Sequence, residues 1–216
     1  MSAMTLTLWG HPLSSYTWKV LIPLYENGTP FRSITVDQTT YADFVQVWPM
    51  GKFPVLVDAT RGETVPESSA IIDYLDRYHP GAVRFVPTDP DKAWLTRLWD
   101  RFLDLHVHDP MQRIVADRNR PAGSKNPFGV EEAHAKLAKS YRVVEAEAAK
   151  RPWLSGDDFG LADCAAAPAL FYADKVRAFG PEQAATRDYL DRLTARPSFA
   201  RVLQEAEPYF HMFPQG

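Results

Sequence analysis

Apolar and polar positions alternate along residues 5–9, TLTLW, with the two-residue period of a half-buried strand. Gly10-His11-Pro12 breaks it. Beyond Ser14 and Ser15, either a good N-cap, Trp18, Leu21, Ile22 and Tyr25 recur at helical spacing until Asn27-Gly28. Pro23 falls inside this helix and predicts a kink. Residues 31–36, FRSITV, read as a second strand, and 41–47 as a short helix. A short apolar strand over 54–58, opened by Pro54, turns at Arg61-Gly62 into a fourth strand around Thr64-Val65. Residues 67–78 then place Ile71, Ile72 and Leu75 on one helical face.

The order β-α-β-α-β-β-α predicts a layered α/β domain over residues 1–80. Strands joined through a helix should run parallel, and the last two, joined by a tight turn, antiparallel. Residues 81–90 read as a linker rich in proline, and Asp89-Pro90 as the start of a helix. From there to residue 216 only helical periods appear: 91–118, 129–150, 161–179, 183–195 and 198–207. The 161–179 segment is apolar nearly all round and should be central to an all-α domain spanning 91–216.

Composition narrows the function. The formal charge of −3 lacks the basic face that phosphate binding wants, which argues against nucleic acid. No run of about 18 apolar residues exists to span a bilayer, and MSAMTLTLWGHP has no signal-peptide pattern. The one cysteine, Cys164, has no internal partner for a disulfide, so a cytoplasmic protein is expected.

Four places could carry chemistry. A hydroxyl in HPLSSYTWK sits at a helix start, where N–H groups favour an anion, and a plain N-cap is the alternative. Lys52 and Phe53 precede Pro54: a cis bond there would offer the backbone of Phe53 to an extended peptide, whereas a trans proline would simply open an edge strand. Glu67-Ser68 could hold an ammonium and a carboxylate at the next helix start, or merely cap it. His106 and His108, two apart, point to different helix faces and do not make a metal site.

Taken together, SSYTWKV, WPMGKFPVL and VPESSAIIDYL, supported by GDDFGLADCAAAPAL, resemble the glutathione transferase superfamily over essentially the whole chain. Among its members the serine-type, zeta- or theta-like ones look most similar. The resemblance implies a thioredoxin-like N-terminal domain followed by a helical bundle. It implies a cis Pro54, with the Phe53 backbone pairing the cysteinyl part of glutathione. Lys52 would meet the glycyl carboxylate, and Glu67 and Ser68 the γ-glutamyl end. Ser14 would donate to the sulfur, with Ser15 and Tyr16 as neighbouring candidates. Glutathione would be the co-substrate, with no metal. The thiolate would attack a small apolar electrophile in a pocket drawn from His11, Leu13, Met111, Val115 and the aromatic tail around Phe210. That tail could be a lid or simple terminal packing. A glutathione-dependent isomerase or dehalogenase at the same site, or a non-catalytic binder, are the alternatives. The family's two-fold dimers imply a homodimer. Trp48 stands where the family usually has Asn, and Gly160 where it has a Ser or Thr cap; Asp163 could still bond that turn's N–H groups.

Overall fold

A computed structural model describes residues 5–215 of the chain. Four strands, β1 (Leu6–Gly10), β2 (Arg32–Thr35), β3 (Val55–Asp58) and β4 (Glu63–Pro66), form one sheet in the order β2-β1-β3-β4. Helices α1 (Ser15–Glu26), α2 (Tyr41–Val47) and α3 (Ser68–Tyr78) interleave with them. The rest is helical: α4 (Pro90–Phe102), α5 (Asp109–Arg118), α6 (Pro127–Ala148), α7 (Leu161–Val176), α8 (Ala184–Thr194) and α9 (Pro197–Ala206), with a closing 3₁₀ turn over Glu207–Met212. Thus a layered α/β domain is followed by helices, as the pattern predicts, and the α/β part is thioredoxin-like, as the resemblance implies.

β1 and β2 are parallel, as expected across α1. β3, however, runs antiparallel to β1, so the second helical crossover does not join parallel neighbours. The expectation fails because α2 connects β2 on one edge to β3 on the far side of β1, and a chain passing over a strand is free to return in either direction. α1 runs through Pro23 to Glu26, and Ser14 is its N-cap, accepting from the Thr17 N–H at 3.2 Å.

Two compact units emerge, with different bounds from those the sequence suggests. One comprises the chain up to Val86 together with Pro197–Phe210; the other comprises Pro87–Arg196 and the chain from His211. Helix α9 therefore belongs with the N-terminal unit. Its Phe199 meets the fully buried Trp18 edge-on, with ring centroids 6.0 Å apart, and Ser198 donates to Glu26 at 2.5 Å. The front half of the linker also belongs there. Asn27 and Val83 exchange hydrogen bonds at 2.9 and 2.8 Å, and the buried Asp76 carboxylate accepts from the N–H groups of Phe85 and Val86 at 3.1 and 2.7 Å.

In the helical unit, α7 is the central element, with most positions buried. Asp163 accepts from the Gly160 N–H at 2.9 Å, as expected for the weak glycine cap, and also from Leu154 N–H and the Tyr189 hydroxyl. The predicted helix over 91–118 is not continuous: Leu103–His108 widens into a π-helical stretch. Pro110 lacks the N–H that an α-helical His106 carbonyl would receive. Neighbouring α6 compensates: Ser140 donates to the His106 carbonyl at 2.6 Å and Lys136 to the Leu105 carbonyl at 2.8 Å. His108 is buried and His106 exposed, as their spacing requires. Among the described residues no helix is long and apolar enough to cross a membrane.

Candidate functional site

Strand register brings the candidate residues of the N-terminal unit to one end of its sheet. Trp9 pairs with Val55, so continuing that antiparallel register sets His11 opposite Phe53. Val55 pairs with Pro66, which sets Pro54 opposite Glu67. The rings agree: His11 stacks on Phe53, centroids 6.2 Å apart and planes 28° apart. Ser14 closes the intervening turn by donating its N–H to the His11 carbonyl at 2.9 Å.

Each residue has a local cause for its position. The Ser14 hydroxyl oxygen is occupied by the Thr17 N–H, but among the described residues its hydrogen has no acceptor. It stands half-buried at the lip of α1, whereas Ser15 is buried at 2% exposure and Tyr16 is half-buried. The Phe53–Pro54 bond is cis. Neither the N–H nor the C=O of Phe53 has a partner among the described residues. Phe53 also meets Phe44, and with Trp48 it packs on the cluster of Val36, Phe44 and Val55. Trp48 therefore adds apolar packing where the family usually has a polar Asn. The exposed Lys52 follows a tight turn in which Gly51 donates to the Trp48 carbonyl at φ 63. A Cβ on Gly51 would meet the Tyr41 hydroxyl, the far end of an exposed side chain that can move aside, so it is the positive φ that favours glycine.

Glu67 is exposed and Ser68, the first residue of α3, is buried. Glu67 has φ 68 and ψ 118, the one positive φ outside glycine among the described residues. Such a backbone costs about 1–3 kcal/mol and is characteristic of ligand clamps. No local sequence signal marks it. A second feature absent from the sequence reading is Lys19, fully buried in α1, whose ammonium donates to Ser69 at 2.9 Å and ties α1 to the first turn of α3. Its position inside the apolar run TWKVLI is the signal that could have flagged it.

Burial lowers the pKa of His11, against a smaller upward pull from Asp37. Its Nδ1 accepts from the Leu13 N–H at 3.2 Å, so the neutral ring carries its proton on Nε2. Phe210 lies edge-on to Trp18 at 6.1 Å in the same unit. Met111 and Val115 lie on α5 in the other unit, Met111 at 1% exposure and Val115 half-buried. The tail is fastened there too: Phe213 stacks on Tyr172, and Arg118 donates to the Pro214 carbonyl at 3.1 Å. Among the described residues no group of His, Cys, Asp and Glu is placed to hold a metal ion.

A thioredoxin-like domain with these features at the strand ends, followed by an all-helical domain, defines the class of protein. The family models for the glutathione S-transferase N-terminal domain and C-terminal domain match residues 8–83 and 127–205. The chain is 32% identical to glutathione S-transferase 3 of Zea mays, covering 92% of this chain and 93% of that protein. It is 26% identical to glutathione S-transferase GstB of Escherichia coli K12, with 92% and 97% covered. A crystal structure of a glutathione S-transferase from Methylobacterium radiotolerans in complex with glutathione sulfonate superposes with a TM-score of 0.78 at 28% identity, covering 91% of this chain and 93% of that one. The chain belongs to the glutathione S-transferase family.

Proposed function

We propose that the protein is a glutathione transferase in which Ser14 stabilises the glutathione thiolate for attack on a small, apolar electrophile. The observation that carries this reading is the Ser14 hydroxyl: it caps α1, its hydrogen has no acceptor among the described residues, and strand register sets its turn beside the unpaired backbone of Phe53. The Phe53 N–H and C=O suit the cysteinyl backbone, as an added strand would. Glu67 and Ser68 at the start of α3 suit the γ-glutamyl ammonium and carboxylate, and Lys52 the glycyl carboxylate.

A free thiol has a pKa of about 8.5 and is mostly protonated at neutral pH. A hydroxyl donor and the N-terminus of α1 both favour the charged sulfur. The thiolate then forms a carbon–sulfur bond while the leaving group departs with its electron pair. We assign the electrophile to the neighbourhood of His11, Leu13 and Phe210, whose surfaces are largely apolar. The same reading includes a homodimer in the cytoplasm. Trp94 and Leu98, one turn apart on α4, are 64% and 44% exposed, more apolar surface than a solvated face presents. Light scattering should then give about 49 kDa, twice the 24.4 kDa chain; a mass near one chain would overturn the dimer.

The test of the catalytic reading is turnover of aryl halides, isothiocyanates, peroxides and isomerisable cis-enones with glutathione, for the wild type and Ser14→Ala. Loss of one charge-assisted hydrogen bond should lower turnover about tenfold to a hundredfold. Glutathione affinity should change little. Full activity in Ser14→Ala, with loss in Tyr16→Phe, would move the role to another hydroxyl.

A further inference from the structure

We infer that Lys19 is a positioning residue for glutathione: acting through Ser69, its buried ammonium fixes the first turn of α3 and supplies positive charge behind the seat of the γ-glutamyl carboxylate. This role rests on the glutathione reading of the site and gives it a residue that acts from beneath the surface.

Lys19 stands where lysine is seldom found. It lies in the apolar run TWKVLI and is fully buried, as are Trp18, Val20 and Ile22 around it. Lysine is almost never fully enclosed without a partner, because its ammonium surrenders water. A position kept for packing alone is better filled by leucine or methionine, which occupy similar space without that cost. The lysine stem instead carries an ammonium across from α1 to the Ser69 hydroxyl, 2.9 Å away. Ser14 begins the helix on which Lys19 sits, and Ser68 begins the helix that Lys19 holds. A shift at the Lys19–Ser69 contact therefore changes the spacing between the proposed sulfur donor and the proposed carboxylate seat.

The electrostatics of that turn point the same way. The Ile71 N–H donates to the Glu67 carbonyl at 2.9 Å and opens the helical ladder, so the N–H groups of Ser68, Ser69 and Ala70 lie ahead of it. The first turn of α3 contains no acidic residue, and the Glu67 side chain does not cap it. The positive end of a helix dipole favours anions and disfavours cations. Lys19 adds a cation to that end, and an anion bound at the same turn reverses the sign of the interaction. A carboxylate seated at Ser68 meets backbone N–H groups, a hydroxyl and an ammonium bonded to the very next residue. Because Lys19 is enclosed, water screens its charge far less than that of a surface lysine.

The test is calorimetric titration of the full chain with two ligands: glutathione, and 4-aminobutyryl-cysteinyl-glycine, which is glutathione without its γ-glutamyl carboxylate. The readout is the ratio of the two affinities, which general damage to the fold leaves unchanged. Lys19→Met should lower the wild-type preference for glutathione by about tenfold or more. Lys19→Arg keeps the charge and should hold that preference within about threefold of the wild type. Ser69→Ala keeps the cation but releases it from α3, and should lower the preference by about threefold. Ser69 is only half-buried and alanine suits a helix, so this variant decides the matter if Lys19→Met does not fold. A merely structural lysine would weaken both ligands alike: an unchanged ratio in Lys19→Met or in Ser69→Ala overturns the role, as does a ratio in Lys19→Arg no better than in Lys19→Met. Those results, with glutathione still bound by the wild type, leave the glutathione reading standing. A wild-type chain that binds neither ligand overturns both.

Discussion

Replacing Glu67 by glycine should make the protein more stable and a worse binder of glutathione. The backbone at φ 68, ψ 118 costs a residue with a Cβ about 1–3 kcal/mol, and glycine adopts it freely. Glycine also enlarges the conformational freedom of the unfolded chain, which returns about 0.4–1 kcal/mol. The net gain is about 0.5–2 kcal/mol, or about 1–8 °C in melting temperature for a chain of this size. The Glu67 carbonyl accepts from the Ile71 N–H, a bond that glycine keeps, and its side chain does not cap the helix, so little else is lost from the unliganded fold. The proposed contact to the γ-glutamyl ammonium is removed, which should weaken glutathione by about 1–2 kcal/mol, or roughly 5–30-fold. Glu67→Ala is the control. It removes the same carboxylate but keeps a Cβ, so affinity should fall equally while the melting temperature stays near that of the wild type. Calorimetric melting without ligand and titration with glutathione give both numbers. A Glu67→Gly protein that melts no higher than Glu67→Ala would refute the strain. Unchanged affinity in both variants would refute the role of the carboxylate.

Other perturbations separate structure from site. Asp58 is fully buried and accepts from Tyr74, His79 and the N–H groups of Thr60 and Arg61, so Asp58→Asn should cost about 2–3 kcal/mol in urea unfolding with turnover per folded molecule unchanged. An unaltered unfolding midpoint would show that the amide replaces all four contacts. Burial lowers the pKa of His11, so the folded state resists its protonation; the corresponding stability is present above about pH 6.5 and is lost as the pH falls through the lowered value. His11→Gln should therefore flatten the fall in melting temperature between pH 7 and the acid side, and an identical profile would exclude His11 as a contributor. Lys136→Met together with Ser140→Ala removes the donors to the Leu105 and His106 carbonyls and should destabilise the helical unit by about 1–3 kcal/mol. Hydrogen exchange should locate that loss in the π-helical segment rather than uniformly.

What could be read in advance had a local cause. Periodicity and caps reveal α1 with a serine cap, Ser14 or Ser15, the antiparallel β3–β4 pair and the central α7. The segments around Ser14, Phe53-Pro54 and Glu67-Ser68 stand out because each couples a helix or strand start to an unusual residue. What stayed hidden depends on distant partners. Pro110 is visible, but the carbonyls it leaves open are met by side chains about thirty residues onward. Asp76 looks like one more polar helix residue, yet it is buried and holds the chain at Phe85 and Val86. The direction of β3 follows from which strand it meets, and no local pattern encodes that.

The partnership of α9 with α1 bears on how the chain is made. A ribosome delivers the first 86 residues of the N-terminal unit, then the 110 residues of Pro87–Arg196, and only afterwards the segment that completes that unit. At about 5–20 residues per second this interval is about 5–20 s. During it the nascent sheet already carries the residues proposed to touch glutathione, while the α1 surface around Trp18 and Tyr25 has not yet received Phe199 or Arg201. That surface is a place for a chaperone to act. A chain cut short before residue 197 would present it permanently, so a nonsense codon late in the gene should produce an aggregating protein, even though every residue proposed to touch glutathione has been translated.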